Sequence, residues 1–444
     1  MMGNTMTPAT GALVDDRLDQ GIFRVNRRAF TDPDTFEREM REIFERRWVY
    51  LCHESQLPEP GSYATTYVGR QPVVVIRQRD GSVKAFLNAC PHRASILLPL
   101  AQGKAKSAVT CRFHGWVFGL DGACQKIKSE ERGNYPADHD REHYGLKSLA
   151  RVDDYRGWIF GSLAENVPAL TDHLGAATTF MDMLADQSPH GLELLRGKST
   201  YVVRHNWKIE AENVNDGYHV PTVHRVFNTT IVQREARGGY DGLLGTETGR
   251  IRGVVKTGGY DLGNGHMLTW ADRASPHVAP IYPETQALEQ RFPGTKSHWI
   301  LRRGRNLMIF PNLVLNDLAS THLRTLRPLG HDRTEINLWC IAPRGETSEA
   351  RAARLRKFED FFLVTGMATS DDVVSLDAAQ EGANGLAQEW HDYVRGLASS
   401  MNGPDDEALA LGIEPIASET SWDHDTPFYG FYRHWLSAIG GAAQ

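Results

Sequence analysis

Cysteine is scarce in this chain, five among 444 residues. A set so sparse and odd in number excludes a disulfide framework and fits a reducing compartment, where cysteine serves as a metal ligand or as core filler. Long apolar runs are missing as well. The best, Val73-Val74-Val75-Ile76, is strand-sized and far short of a membrane span. The first residues, Met-Met-Gly-Asn-Thr-Met-Thr-Pro, lack the charged and apolar regions of a secretory signal. No Lys/Arg block occurs and the formal net charge is −6, which argues against a nucleic-acid footprint. Internal repeats and low-complexity tracts are absent. These absences predict a cytoplasmic protein that contacts neither membrane nor nucleic acid. What remains is ordinary for a globular protein, 41% hydrophobic and 23% charged, and long enough for two domains or one domain with a large insertion.

The pattern changes along the chain. Between Asp34 and Trp48, Phe36, Met40, Ile43 and Phe44 recur at helical spacing. From Tyr63 to Phe160 the chain breaks into short β-type runs, with Asp80-Gly81 and Asp121-Gly122 as tight turns. Beyond Leu163 helices are predicted over 177–186, 207–220 and 348–364, the last with Ser348 as N-cap. Strands are predicted over 307–315, 321–327 and 334–342 as an antiparallel meander. The fold class predicted is α+β, with an all-β module set between an N-terminal helix and a larger α+β domain.

Two short arms carry the first chemistry. Cys90-Pro-His92 and Cys111-Arg-Phe-His114 each hold one Cys and one His, with eighteen residues between them. Structural zinc sites usually pair like with like. Mixed arms favour a [2Fe–2S] cluster with both cysteines on one iron and both histidines on the other, the Rieske arrangement. Cys52, Cys124 and Cys340 have no spaced His partner and read as structural.

The second constellation is Glu212-Asn-Val-Asn-Asp216-Gly-Tyr-His219-Val-Pro-Thr-Val-His224. On a continuous helix Glu212, Asp216 and His219 share one face. Pro221 should break that helix and swing His224 back towards His219. Two histidines and one carboxylate form the facial triad that binds Fe(II) and leaves positions open. The carboxylate could come from Asp371-Asp372, although Thr369-x-x-Asp372 also matches a capping box, in which Asp372 merely satisfies a helix terminus.

Together, Cys-x-His…Cys-x-x-His and Glu-Asn-x-x-Asp-Gly-Tyr-His-x-x-x-x-His resemble the large (α) subunits of aromatic-ring-hydroxylating dioxygenases. Asp154-Tyr-Arg-Gly-Trp-Ile-Phe-Gly-Ser and Phe358-Glu-Asp-Phe-Phe-Leu-Val-Thr-Gly-Met-Ala-Thr-Ser-Asp-Asp372 make the chain most similar to the benzoate/toluate, anthranilate and 2-halobenzoate group. The resemblance implies a Rieske [2Fe–2S] domain (48–163) and a helix-grip catalytic domain with an antiparallel sheet (1–47 and 164–444). It implies that Cys90, His92, Cys111 and His114 hold the cluster, and that His219, His224 and Asp372 hold a mononuclear Fe(II), with Asp371 the fallback. Asp216 is then the carboxylate linking an iron-ligating His to a cluster-ligating His of a neighbouring subunit, and Asn213 stands near the iron. Many relatives have Gly where this chain has Ala94.

The activity implied is cis-dihydroxylation of an aromatic acid with O₂ and NADH-derived electrons, in an α₃ ring, usually with small β subunits. A separate flavin/iron–sulfur reductase, alone or through a ferredoxin, supplies the electrons. An arginine suits the substrate carboxylate, and Arg305 and Arg234 are candidates. Competing readings are a monooxygenase on the same scaffold, a Rieske electron carrier without catalysis, and a zinc-binding structural protein.

Overall fold

The computed structural model describes residues 12–237, 256–273, 276–318 and 320–440. The chain divides into two compact units, 40–173 on one hand and 1–39 with 174–444 on the other.

The 40–173 unit is built from short antiparallel strands. Four pair in the order Val83–Leu87, Gln71–Arg77, Ser62–Val68, Gln102–Lys104. A second set runs Cys124–Lys126, Val117–Gly119, Ala108–Thr110, and a third Arg151–Tyr155, Trp158–Ser162, Val49–His53. The uninterrupted Val73–Ile76 run is buried on both faces, which is why it lacks polar alternation. The Asp80-Gly81 turn forms as predicted: Gly81 adopts φ +87° and Asp80 accepts the Ser82 amide at 3.0 Å. Tyr63, Ile76, Phe86, Leu97, Trp116 and Phe118 pack with Cys90 and Cys111 in one core. That core anchors both cysteine arms from below.

The other unit carries a large antiparallel sheet. Its order is Leu192–Leu194, Arg333–Pro343, Thr321–Gly330, Leu313–Asp317, Arg303–Ile309, Met267–Asp272, Thr257–Asp261, Ala417–Glu419 and Met401–Asn402, with Ser199–Val203 also pairing Arg333–Pro343. The Thr426–Ala438 helix buries Phe428, Phe431, Tyr432 and Trp435. Buried Glu39 joins three segments, accepting from Trp207 Nε1 at 2.9 Å, Trp435 Nε1 at 2.8 Å and Lys208 Nζ at 2.5 Å. No described helix is long and apolar enough to cross a membrane.

Several elements differ from the sequence reading. The strand expected over 307–315 is two strands, Arg303–Ile309 and Leu313–Asp317, which pair with each other. Pro311 stands in the turn between them, and a proline has no N–H to give to a central ladder. The helix expected over 348–364 is α-helical over Ser348–Lys357 and a wider turn over Phe358–Phe362. Its N-cap is Thr347, not Ser348: the Thr347 hydroxyl accepts the Ala350 amide at 3.2 Å.

Candidate functional site

The two arms of the 40–173 unit are folded alike. Ala94 N donates to Cys90 O at 2.8 Å and Cys90 N to Ser95 O at 2.9 Å. In the second arm Gly115 N donates to Cys111 O at 3.0 Å and Cys111 N to Trp116 O at 2.7 Å. The fifth residue of each arm is left-handed, Ala94 at φ +55° and Gly115 at φ +73°. Gly115 meets that requirement freely, whereas Ala94 does so with its Cβ crowded. This explains why glycine suits the position better.

The cysteines lie deep, both under 4% exposed, and the histidines closer to the surface. The His92 and His114 rings stand 4.5 Å apart, and Trp116 stacks on His92 at 4.9 Å with the planes 3° apart. Cys90 and Cys111 are hydrogen-bonded neighbours. Burial pushes the Cys90 thiol up. Burial acts likewise on Cys111, but the His114 and Phe113 amides aimed at its sulfur outweigh it and bring that thiol below its ordinary value. Burial, then the His114 and Arg93 charges, lowers the His92 pKa, which keeps the ring neutral as a ligand must be. His92 Nδ1 is buried with no hydrogen-bond partner among the described residues. Two buried sulfurs with amide donors and two imidazoles nearer the surface fit a Rieske cluster better than a zinc ion.

In the other unit the helix expected over 207–220 is shorter. It runs Trp207–Val214, capped by Asn206, whose side chain accepts the Lys208 amide at 3.0 Å. Asn215-Asp216-Gly217 ends it. Asp216 Oδ1 accepts the Tyr218 amide at 2.6 Å, a local bond that competes with the helix ladder. A Cβ on Gly217 would stand 2.5 Å from the Trp422 ring, so only glycine fits there. Asp216 and His219 therefore do not continue the face of Glu212. Pro221 does not break a helix either. It opens the single turn Val220–Val223, where its missing N–H costs nothing. That turn sets His219 before it and His224 after it, their rings 5.2 Å apart.

Asp372 meets them from the first turn of the Thr369–Ala383 helix. Its Oδ1 lies 3.5 Å from His219 Nε2 and 3.2 Å from His224 Nε2. These three residues form a metal-capable group, with donor atoms all within 4.8 Å of one another. Asp371 is not among them. The capping-box alternative does not form: Ala368 holds the cap position without a side-chain bond, and the Thr369 hydroxyl donates to Phe362 O at 2.9 Å. His224 Nδ1 and Asp372 Oδ1 are buried and make no hydrogen bond among the described residues. A carboxylate and two imidazoles so placed are costly to bury without a cation. The donor set, two nitrogens and one oxygen, fits Fe(II). Asp216 Oδ2 lies 3.4 Å from His219 Nδ1, on the far side of the ring from Asp372. Burial lowers the His219 pKa, but Asp216 and Asp372 outweigh it and leave it raised. Asn213 stands in the last turn of the helix preceding this site.

Residues that no local motif marks hold these groups in place. His205, fully buried, places Nδ1 2.8 Å from Asp377 Oδ1 and Nε2 3.0 Å from Glu210 Oε2, and Arg324 also binds Glu210. Burial drives Glu210 up, yet Arg324 and His205 bring it down to about 2. Glu212 accepts from the Tyr393 hydroxyl at 2.9 Å and from Tyr432, while burial raises its pKa to about 7.

An aromatic wall adjoins the triad. Phe227, Phe358, Phe361, Phe362, Leu338, Cys340 and Ala368 form one buried cluster, and Phe361 contacts the His224 ring at 5.8 Å. Arg305, a candidate for the substrate carboxylate, is buried and ion-paired with Asp317. The side chain of Arg234 lies outside the described residues.

Known proteins place this arrangement. Residues 47–149 match the Rieske [2Fe–2S] domain and residues 192–440 the catalytic domain of the ring-hydroxylating α subunit. The toluate 1,2-dioxygenase α subunit of Pseudomonas putida is 42% identical over 96% of this chain and 92% of its own length. The 2-halobenzoate 1,2-dioxygenase large subunit of Burkholderia cepacia is 39% identical, covering 94% and 90%. The anthranilate 1,2-dioxygenase large subunit of Acinetobacter baylyi is 38% identical, covering 96% and 91%. The Pseudomonas putida naphthalene 1,2-dioxygenase large component is more distant, at 28% over 93% of this chain and 90% of its own. A solved naphthalene 1,2-dioxygenase with indole bound superposes with a TM-score of 0.80 at 25% identity, over 95% of this chain and 93% of that one.

Proposed function

The chain belongs to the ring-hydroxylating α-subunit family, and from that premise we propose that it is the large subunit of a dioxygenase that cis-dihydroxylates an aromatic carboxylate. It is an oxidoreductase of the Rieske non-haem iron class and the large subunit of a multicomponent system. One observation carries the choice of substrate class. The relatives at 38–42% identity are named for ring acids (toluate, 2-halobenzoate, anthranilate), whereas those named for naphthalene fall to 28%.

When bound, the cluster supplies one-electron storage and the mononuclear iron supplies the O₂-reactive centre. Cys90, Cys111, His92 and His114 would hold the former, and His219, His224 and Asp372 the latter. Asp216, whose Oδ2 lies 3.4 Å from His219 Nδ1, would orient that ring by a hydrogen bond once His219 holds the metal, as carboxylates beside metal-bound imidazoles do. Its side chain remains a third exposed, which leaves an edge for a histidine of a neighbouring subunit. The buried wall of Phe227, Phe361 and Phe362 offers an apolar face to a flat ring and excludes water beside the triad. Asn213 would stand at the rim of the iron site. The assembly proposed is an α₃ ring with small β subunits in the cytoplasm, fed from NADH by a separate flavin/iron–sulfur reductase.

The test is turnover of the reconstituted system with benzoate, toluate and anthranilate against naphthalene and toluene. NADH-dependent formation of a carboxylated cis-dihydrodiol, with ring acids preferred, is the expected result. Preference for the neutral rings would overturn the substrate assignment, and a hydroxybenzoate formed from benzoate would favour the monooxygenase reading.

A further inference from the structure

We infer that His322 receives the carboxylate of the aromatic substrate, an inference that rests on the function proposed above. His322 is 1% exposed. Neither Nδ1 nor Nε2 has a hydrogen-bond partner among the described residues. A neutral imidazole carries one donor and one acceptor, and native interiors rarely leave both unmet. Burial, then the charge of Arg324, holds this ring well below the ordinary histidine range, so it is neutral with one N–H to give.

Its position gives that N–H a use. His322 lies on the Thr321–Gly330 strand, opposite Asn316 on one side and Cys340 on the other. Its ring lies 4.1 Å from Phe362. Phe362 contacts Phe361 at 4.6 Å, and Phe361 contacts the iron-ligand candidate His224 at 5.8 Å. An unspent polar group thus stands two aromatic rings from the triad, on the same apolar wall. A flat ring beside that wall could present its carbons to the iron site and its carboxylate to His322.

The arginines nearby are already engaged. Arg305 pairs with Asp317, while Arg273 donates to Asp317 O at 2.6 Å and to Leu318 O at 2.5 Å. Arg324 follows His322 by two residues, on the same face of the strand, and binds Glu210 through Nη1. Its Nε is buried and has no hydrogen-bond partner among the described residues, a second unspent donor on that face. Two unspent donors on one face of the strand suit an anionic oxygen pair better than a neutral substituent.

The experiment measures dissociation constants of benzoate and of its neutral isostere nitrobenzene by equilibrium dialysis, on holoenzyme carrying both metal centres. His322→Leu should shift the preference for benzoate over nitrobenzene by roughly 10- to 100-fold, the usual weight of a hydrogen bond to a charged group. His322→Gln, which restores a donor, should recover most of the loss. His322→Phe keeps a planar ring against Phe362 and serves the same test if the leucine variant does not fold. Equal weakening of both ligands, or no change in either, would mean that His322 only packs and would overturn the inference alone. A wild-type enzyme that binds neither benzoate nor any other aromatic acid would overturn the proposed function and this inference with it.

Discussion

His205 Nδ1 lies 2.8 Å from Asp377 Oδ1, and Asp377 stands five residues beyond Asp372 on the same helix. The opposite ring nitrogen meets Glu210, on the helix that leads into the Asp216–His224 segment. One buried imidazole therefore fixes the spacing between the elements that bring Asp372 and the two histidines together. Removing it leaves Glu210 and Asp377 short of a charged partner. His205→Leu should cost about 3 kcal/mol, typical of breaking a buried charged pair, and should also lower mononuclear iron occupancy. Thermal unfolding and iron analysis check both. A destabilised variant with full iron would show that the network supports the fold but not the site.

The equivalence of the two cysteine arms gives a second prediction. Ala94 occupies the left-handed position that Gly115 fills in the other arm. Ala94→Gly should stabilise the 40–173 unit by about 1 kcal/mol, and Gly115→Ala should destabilise it by a similar amount. Thermal loss of the visible cluster absorbance reports on each.

The metal assignments predict separable losses. The wild-type chain should hold about three irons and two acid-labile sulfides, from one cluster and one mononuclear site. His224→Ala and Asp372→Ala should each retain about two irons, the same sulfide and the same visible spectrum, with turnover reduced more than about a hundredfold. Asp371→Ala should keep its full iron content. Iron loss in the Asp371 variant alone would move the ligand assignment to that residue.

Glu212 predicts a pH effect. Burial raises its pKa from 4.5 to about 7 despite the two tyrosine hydroxyls that act the other way. Between those values the folded chain holds a proton that the unfolded chain has released, so this group's contribution to stability falls as pH rises from 4.5 to 7 and is level beyond. Glu212→Gln keeps an acceptor for Tyr393 and Tyr432 but cannot ionise. It should remove a decline of about 1–3 kcal/mol across that window. Denaturant titrations at pH 4.5, 6 and 7.5 measure the difference, and parallel curves for the two proteins would contradict the account.

Both candidate metal sites were largely legible in the sequence because their residues cluster locally. Cys90 and His92, Cys111 and His114, and His219 and His224 each sit within one turn or loop. From spacing alone a capping box explains Asp372 better than a ligand role does, whereas the structure sets its carboxylate beside both histidines. The predicted helix over 207–220 failed because Asn215-Asp216-Gly217 offered the backbone a local bond and a glycine-only contact with Trp422. The supporting residues gave no signal, because His205 and Glu210, Arg324, and Asp377 come from three separate segments and obey no period. His322 reads in sequence as one more residue of a strand. Its unmet nitrogens become visible only when its neighbours are known.

The most direct test of the central claim is the fate of oxygen in a single product molecule. With the reductase, NADH, benzoate and ¹⁸O₂, the cis-dihydrodiol isolated should carry two labelled oxygens, both from one O₂. A product with a single labelled oxygen would contradict the account and identify the chain as a monooxygenase on the same scaffold.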